Sequence, residues 1–157
     1  MTKFFIDVSQ EIYKKLEQPI VEIIVLEFIK YKESSERYEH PAPTIKSQQK
    51  KESPYIEFGR DRYDIAHKSE DVQHIHLRDG TKSWEDEQGP LVQWNCTSDT
   101  HLIYSYFKHN GAYYYYLVEI YDDKAHLSYE KAKLELFKEA KRYKETKLNE
   151  LRNPKTA

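Results

Sequence analysis

Asn110-Gly111 sits between two runs that alternate like strands, His101–Phe107 and Ala112–Tyr121, and it constrains the fold more than any other feature. Asn-Gly readily adopts the left-handed conformations of a two-residue hairpin turn, so these runs are expected to pair antiparallel. Val72–Leu77 alternates in the same way and supplies a third strand. Near the start, Lys3–Val8 has the pattern of a short strand, and Ser9 is placed to cap a following helix. Pro19 either kinks that helix or opens a second one at its first position. Ile20–Tyr31 is apolar around most of its circumference, as a helix packed on a sheet would be. Ser128 is a candidate cap for a last helix, in which Tyr129, Ala132, Leu136, Ala140 and Tyr143 repeat at helical spacing up to Pro154. The expected fold is therefore α+β: a small antiparallel sheet with an N-terminal helix or helical hairpin and a C-terminal helix.

Residues 1–157 are expected to form a single domain, with a long polar loop at 33–53 that contains Pro41 and Pro43. Twenty-five basic residues face 27 acidic ones, a net charge of −2. That balance excludes a strongly basic nucleic-acid coat protein and an acidic disordered tail. The charge is uneven: residues 61–110 carry −4, and residues 111–157 carry +2. The excess in the middle includes Glu85-Asp86-Glu87, expected in a loop. One cysteine, Cys96, excludes an intrachain disulfide and a cysteine-based zinc cage. The most apolar window, Ile20–Ile29, is interrupted by Glu22 and Glu27 and spans about half of the ~20 residues a membrane helix needs. No signal-peptide pattern opens the chain. A soluble cytoplasmic protein with no membrane association is expected.

Two local motifs carry chemistry. His74-Ile75-His76 places two imidazoles on one face of a strand, roughly 7 Å apart. They can serve as a base and an acid, as metal ligands with His101 as a third, or as half-exposed structural histidines. Phe58-Gly59-Arg60-Asp61 suggests a turn at Gly59 that projects the Arg60 guanidinium toward a phosphate or carboxylate. Asp61 either holds Arg60 or pairs with it at the surface, and Tyr63 lies nearby. In the last strand, Val118 and Ile120 mark Tyr114 and Tyr116 as core, leaving Tyr113 and Tyr115 on the other face, open to packing or to a ligand. That other face coincides with the histidine face if all strands share one sheet. Gly-rich phosphate loops, GxSxG elbows and HExxH helices are absent from the sequence, and Cys96 suits a buried structural thiol.

The chain resembles the YafO-type toxins of bacterial type II toxin–antitoxin systems. The resemblance lies in Phe28-Ile29 with Tyr31-Lys32, Phe58-Gly59-Arg60-Asp61 with Tyr63-Asp64, and His74-Ile75-His76-Leu77. It continues through Ser98-Asp99, His101-Leu102 with Tyr104, and Ala125-His126. It implies a RelE-like fold and a ribosome-associated mRNA interferase, an endoribonuclease that inhibits translation and is neutralised by a cognate antitoxin. Its partners would be that antitoxin and mRNA on the ribosome, with no DNA binding by the toxin alone. Cleavage would need neither metal nor cofactor. His74 and His76 would transfer protons, Arg60 would supply positive charge, and Asp61 would orient Arg60 or an imidazole. Tyr63, His101, Tyr104, Tyr113 and Tyr115 would contact the substrate, with Tyr104 or Tyr115 stacking on a base. Near-neutral charge suits RNA presented by another particle better than capture of free RNA. Two other readings stand beside it: a non-catalytic module that blocks a translation component, and a small hydrolase with a His74/His76/His101 metal site.

Overall fold

A computed structural model describes residues 3–34, 58–63, 72–91, 95–122 and 124–153. All but the first two residues of the polar loop at 33–53 lie outside them. The elements follow in the order β1 (Lys3–Val8), α1 (Gln10–Lys15), α2 (Pro19–Ser34), β2 (Phe58–Tyr63), β3 (Val72–Leu77), β4 (Glu85–Asp86), β5 (Gly89–Pro90), β6 (His101–His109), β7 (Ala112–Tyr121) and α3 (Ala125–Arg152). Five strands form one mixed sheet in the order β1-β7-β6-β3-β2, and β4 and β5 make a separate small hairpin. Within the five, β1 runs parallel to β7 and every other pairing is antiparallel. The α+β class and the helix placement thus agree with a RelE-like architecture.

Local chemistry explains the elements. Asn110 and Gly111 both have positive φ, 48° and 78°, which lets β6 turn directly into β7. Ser9 caps α1, its side chain accepting the Ile12 N–H at 3.1 Å while its hydroxyl donates to Val118 O. Pro19 opens a second helix rather than kinking the first, since a first-turn residue needs no N–H partner. The start of α3 differs from expectation. It begins at Ala125, whose N–H donates to Asp99 O at 3.1 Å, so Ser128 lies inside its first turn. Phe58-Gly59-Arg60-Asp61 is also not a turn: it lies in the edge strand β2, with a bulge between Phe58 and Asp61. Glu85-Asp86 belongs to the β4–β5 hairpin rather than to a loop.

Both faces of the sheet are covered. On one, α1 and α2 bury Ile12, Val21, Ile24 and Phe28 against Ile75, Leu102, Tyr104, Tyr115 and Leu117. On the other, α3 packs Tyr129, Leu136, Phe137 and Ala140 on Val72, Ile103, Tyr116 and Val118. A register slip between Ile103 and Tyr104 leaves Val118 as an extra residue in β7. Val118 therefore faces α3 while Ile120 joins the α2 side, although simple alternation puts them together. The outer stripe of α2, with Ile20, Ile23 and Leu26, remains exposed.

Candidate functional site

The two motifs, separated in sequence, become neighbours. Phe58 pairs with Leu77 and Asp61 with Ile75, so the Gly59–Arg60 bulge lies opposite His76. On the far side of β3, His76 pairs with His101 of β6. Three imidazoles gather on the α3 face. The His76 and His101 ring centroids are 4.2 Å apart, those of His74 and His101 4.9 Å, and His74 also meets the Tyr129 ring of α3 at 5.6 Å. The rings are not half-exposed: His74 is 5%, His76 8% and His101 2% exposed. Among the described residues, no group of three His, Cys, Asp or Glu side chains is placed to hold a metal.

Residues 95–100 bind this corner together. Cys96 O accepts the Arg60 N–H at 2.7 Å, and Thr100 O accepts the Leu77 N–H at 2.8 Å. The Ser98 N–H donates to His76 Nδ1 at 2.8 Å. Ser98 O, which can only accept, lies 3.1 Å from the same nitrogen. The shorter amide contact suits the neutral ring with its proton on Nε2, and the carbonyl contact suits the imidazolium. Ser98 O, which can only accept, lies 3.2 Å from His101 Nε2 and fixes a proton on that nitrogen. Asp79 completes the tie by accepting the Asp99 N–H and the Thr100 hydroxyl with Oδ2 while Oδ1 holds Thr81. Burial alone would raise its carboxyl, but these hydrogen bonds outweigh it and hold the group below its usual range.

The need for glycine at position 59 is steric. A Cβ there would lie 2.3 Å from Cys96 O and 2.8 Å from the Trp84 ring, whose Nε1 donates to Thr97 O. Gly59→Ala must push the 95–100 segment away from β2. It is expected to cost about 1–3 kcal/mol, as overpacking does, and a thermal melt of the variant checks this.

Asp61 lies elsewhere. It points to the α2 face and is 2% exposed, so it cannot orient an imidazole on the α3 face. Its Oδ2 accepts from Lys32 Nζ at 2.5 Å and Tyr31 OH at 3.0 Å, and its Oδ1 accepts from Tyr104 OH at 2.5 Å. Lys32, fully buried, also donates to Tyr104 OH at 2.8 Å and lies over the Tyr104 and Tyr31 rings. Burial lowers the Lys32 ammonium pKa, and the Asp61 charge partly offsets this. Burial, with Asp61 beside it, pushes the Tyr104 phenol well up and keeps it a neutral donor. This network pins α2 to β2 and β6 and fixes the strand that presents Arg60.

Other expected contacts also change. Tyr104 and Tyr115 are 1% and 0% exposed, so neither can stack on a base. Tyr113 is partly exposed and stacks on Phe4, but it lies with Tyr115 on the α2 side, the face opposite the histidines. The surface shared by His74, His76, Tyr113 and Tyr115 therefore does not exist. The backbone of Tyr63 pairs with Gln73 in β2, while its side chain lies outside the described residues. Sequence reasoning missed Lys32, Trp84 and Ser98 as determinants of the corner. Lys32 and Ser98 lie within stretches that carry the family resemblance, which assigned neither a role.

No helix among the described residues is long and apolar enough to cross a membrane. No curated protein and no solved structure matches the chain. A family model described as toxin YafO, type II toxin–antitoxin system, matches residues 30–145. That span includes the buried lysine, the β2 bulge, the imidazole cluster and most of α3. The chain belongs to the YafO toxin family of type II toxin–antitoxin systems.

Proposed function

We propose that the chain is a ribosome-associated mRNA interferase, an endoribonuclease that cuts messages without metal and is silenced by its antitoxin. The observation that carries the site is the pairing of β2 with β3, which sets the Arg60 bulge opposite His76. Cleavage of RNA at a 2′-hydroxyl needs a base for that proton, a proton donor to the leaving 5′-oxygen, and positive charge at the phosphate. Arg60 supplies the charge. As an imidazolium, His76 donates from Nδ1 to Ser98 O, 3.1 Å away, and gives its Nε2 proton to the leaving 5′-oxygen. Neutral His74 on the same strand face takes the 2′-hydroxyl proton. His101 supports both rings from β6. Asp61 acts through β2, by holding the strand that carries Arg60.

The burial of those rings favours a second reading, in which the chain blocks a translation component without cutting RNA. Mapping transcript 5′ ends after induction separates the two. Discrete new ends are expected for an interferase, and arrest of growth with intact messages would establish the blocking module instead.

A further inference from the structure

A groove of about 700 Å³ runs between α3 and the β1–β7 edge, on the same face of the sheet as the imidazoles but lined by other residues. Its floor is apolar and aromatic, with Val8, Tyr116, Val118 and Leu136. Its walls carry Asp7, Glu11, Glu119, Glu135, Glu139 and Glu150 against Arg142 and Lys147 alone, a net of −4. The whole chain carries −2, so everything outside the groove is net positive. RNA is repelled here and directed elsewhere. One wall is β1, the last strand on its side of the sheet, which leaves one row of its backbone groups without a neighbouring strand among the described residues. Along α3 the groove extends from Ala132 to Glu150, about 27 Å at ~1.5 Å per residue. An extended segment of about eight residues covers that length.

We propose that this groove docks a cationic, amphipathic segment of the antitoxin, its apolar side chains on the Tyr116–Leu136 floor and its lysines or arginines against the carboxylate walls. The proposal rests on the toxin assignment, which supplies the partner. It adds the surface and the chemistry of the segment that fits it. Four carboxylates are already engaged: Asp7 with Tyr143 and Lys147, Glu119 with Lys15, and Glu139 with Tyr116 and Arg142, while Glu150 meets Lys147. Glu11 and Glu135, which meet only exposed Lys14 at 3.7 Å and Lys138 at 3.5 Å, and half-exposed Glu150, whose Lys147 lies 3.9 Å away, remain accessible to an incoming cation.

The test is titration of the purified chain into a fluorescein-labelled peptide alternating lysine with leucine and valine, with an aspartate-for-lysine peptide as control. The lysine peptide is expected to bind, and Glu135→Lys/Glu150→Lys to weaken it by about tenfold or more, as does added salt. Glu135→Gln/Glu150→Gln is expected to weaken it less, in the same direction, and covers any disturbance of α3 by charge reversal. Equal affinity for wild type and both variants, equal binding of the aspartate peptide, or displacement by single-stranded RNA overturns the proposal. Expression of the Glu135/Glu150 variants alone is expected to arrest growth as the wild type does. Failure of the wild type to arrest growth would count against the toxin activity and not against the groove.

Discussion

Arg60→Ala is expected to reduce message cleavage by about 10²–10³-fold, the scale lost when one preorganised group that stabilises transition-state charge is removed. Arg60 suits this test because its backbone, not its side chain, makes the 2.7 Å bond to Cys96 O. Alanine keeps that bond, and a thermal melt run beside the assay separates loss of the charge from loss of the fold. His76→Ala is expected to lower cleavage by about 10²–10⁴-fold, the range of general acid–base catalysis. This change also frees the Ser98 N–H, so His76→Gln, which keeps an acceptor near that amide, distinguishes chemistry from folding. Low activity in a stably folded glutamine variant assigns the proton transfer to the imidazole. Normal activity makes His76 a structural acceptor.

The second large effect concerns stability. Lys32→Met leaves the Asp61 carboxylate buried among Tyr31, Tyr104 and apolar neighbours without its cation. Breaking a buried pair in this way costs about 3–5 kcal/mol, a sizeable part of a domain's typical 5–15 kcal/mol. Solvent does not screen the pair, because the side chains are 0% and 2% exposed. Replacing both groups, as in Lys32→Met/Asp61→Leu, removes the stranded charge and is expected to restore most of the loss. Urea unfolding of the single and double variants measures the coupling. A cost below about 1 kcal/mol for Lys32→Met would show that Asp61 is neutralised by other means.

These two sites show which parts of the molecule were legible in the sequence. The Asn110-Gly111 hairpin, the Ser9 cap and the α3 stripe were readable because each rests on a local rule: backbone conformation, a first-turn donor, or helical spacing. Alternation in β7 was readable only as far as Val118, because a bulge arises from pairing with β6 and leaves no mark in the strand itself. Phe58-Gly59-Arg60-Asp61 suggested a turn because glycine permits one. Its glycine is instead required by the approach of Cys96 O and Trp84, a tertiary contact that no local pattern encodes.

The candidate site divided in the same way. The proximity of Arg60 and His76 depends on which strand β2 joins, and sequence alone did not specify that. Alternation placed His74 and His76 on one face but could not tell that α3 covers it. Lys32 was hardest to see, since a lysine near the end of a helix ordinarily reaches solvent. The carboxylate of Asp61, brought in by β2, and the Tyr104 hydroxyl offset the cost of its burial.

Ribosome-dependent cleavage is measured with the purified chain and one end-labelled message, incubated either free or engaged on a translating ribosome. Cleavage is expected at discrete positions on the ribosome, with little on free RNA and loss of cleavage with Arg60→Ala. Equal cleavage of the free message, or none on the ribosome under conditions where translation stops, would contradict ribosome-dependent cleavage.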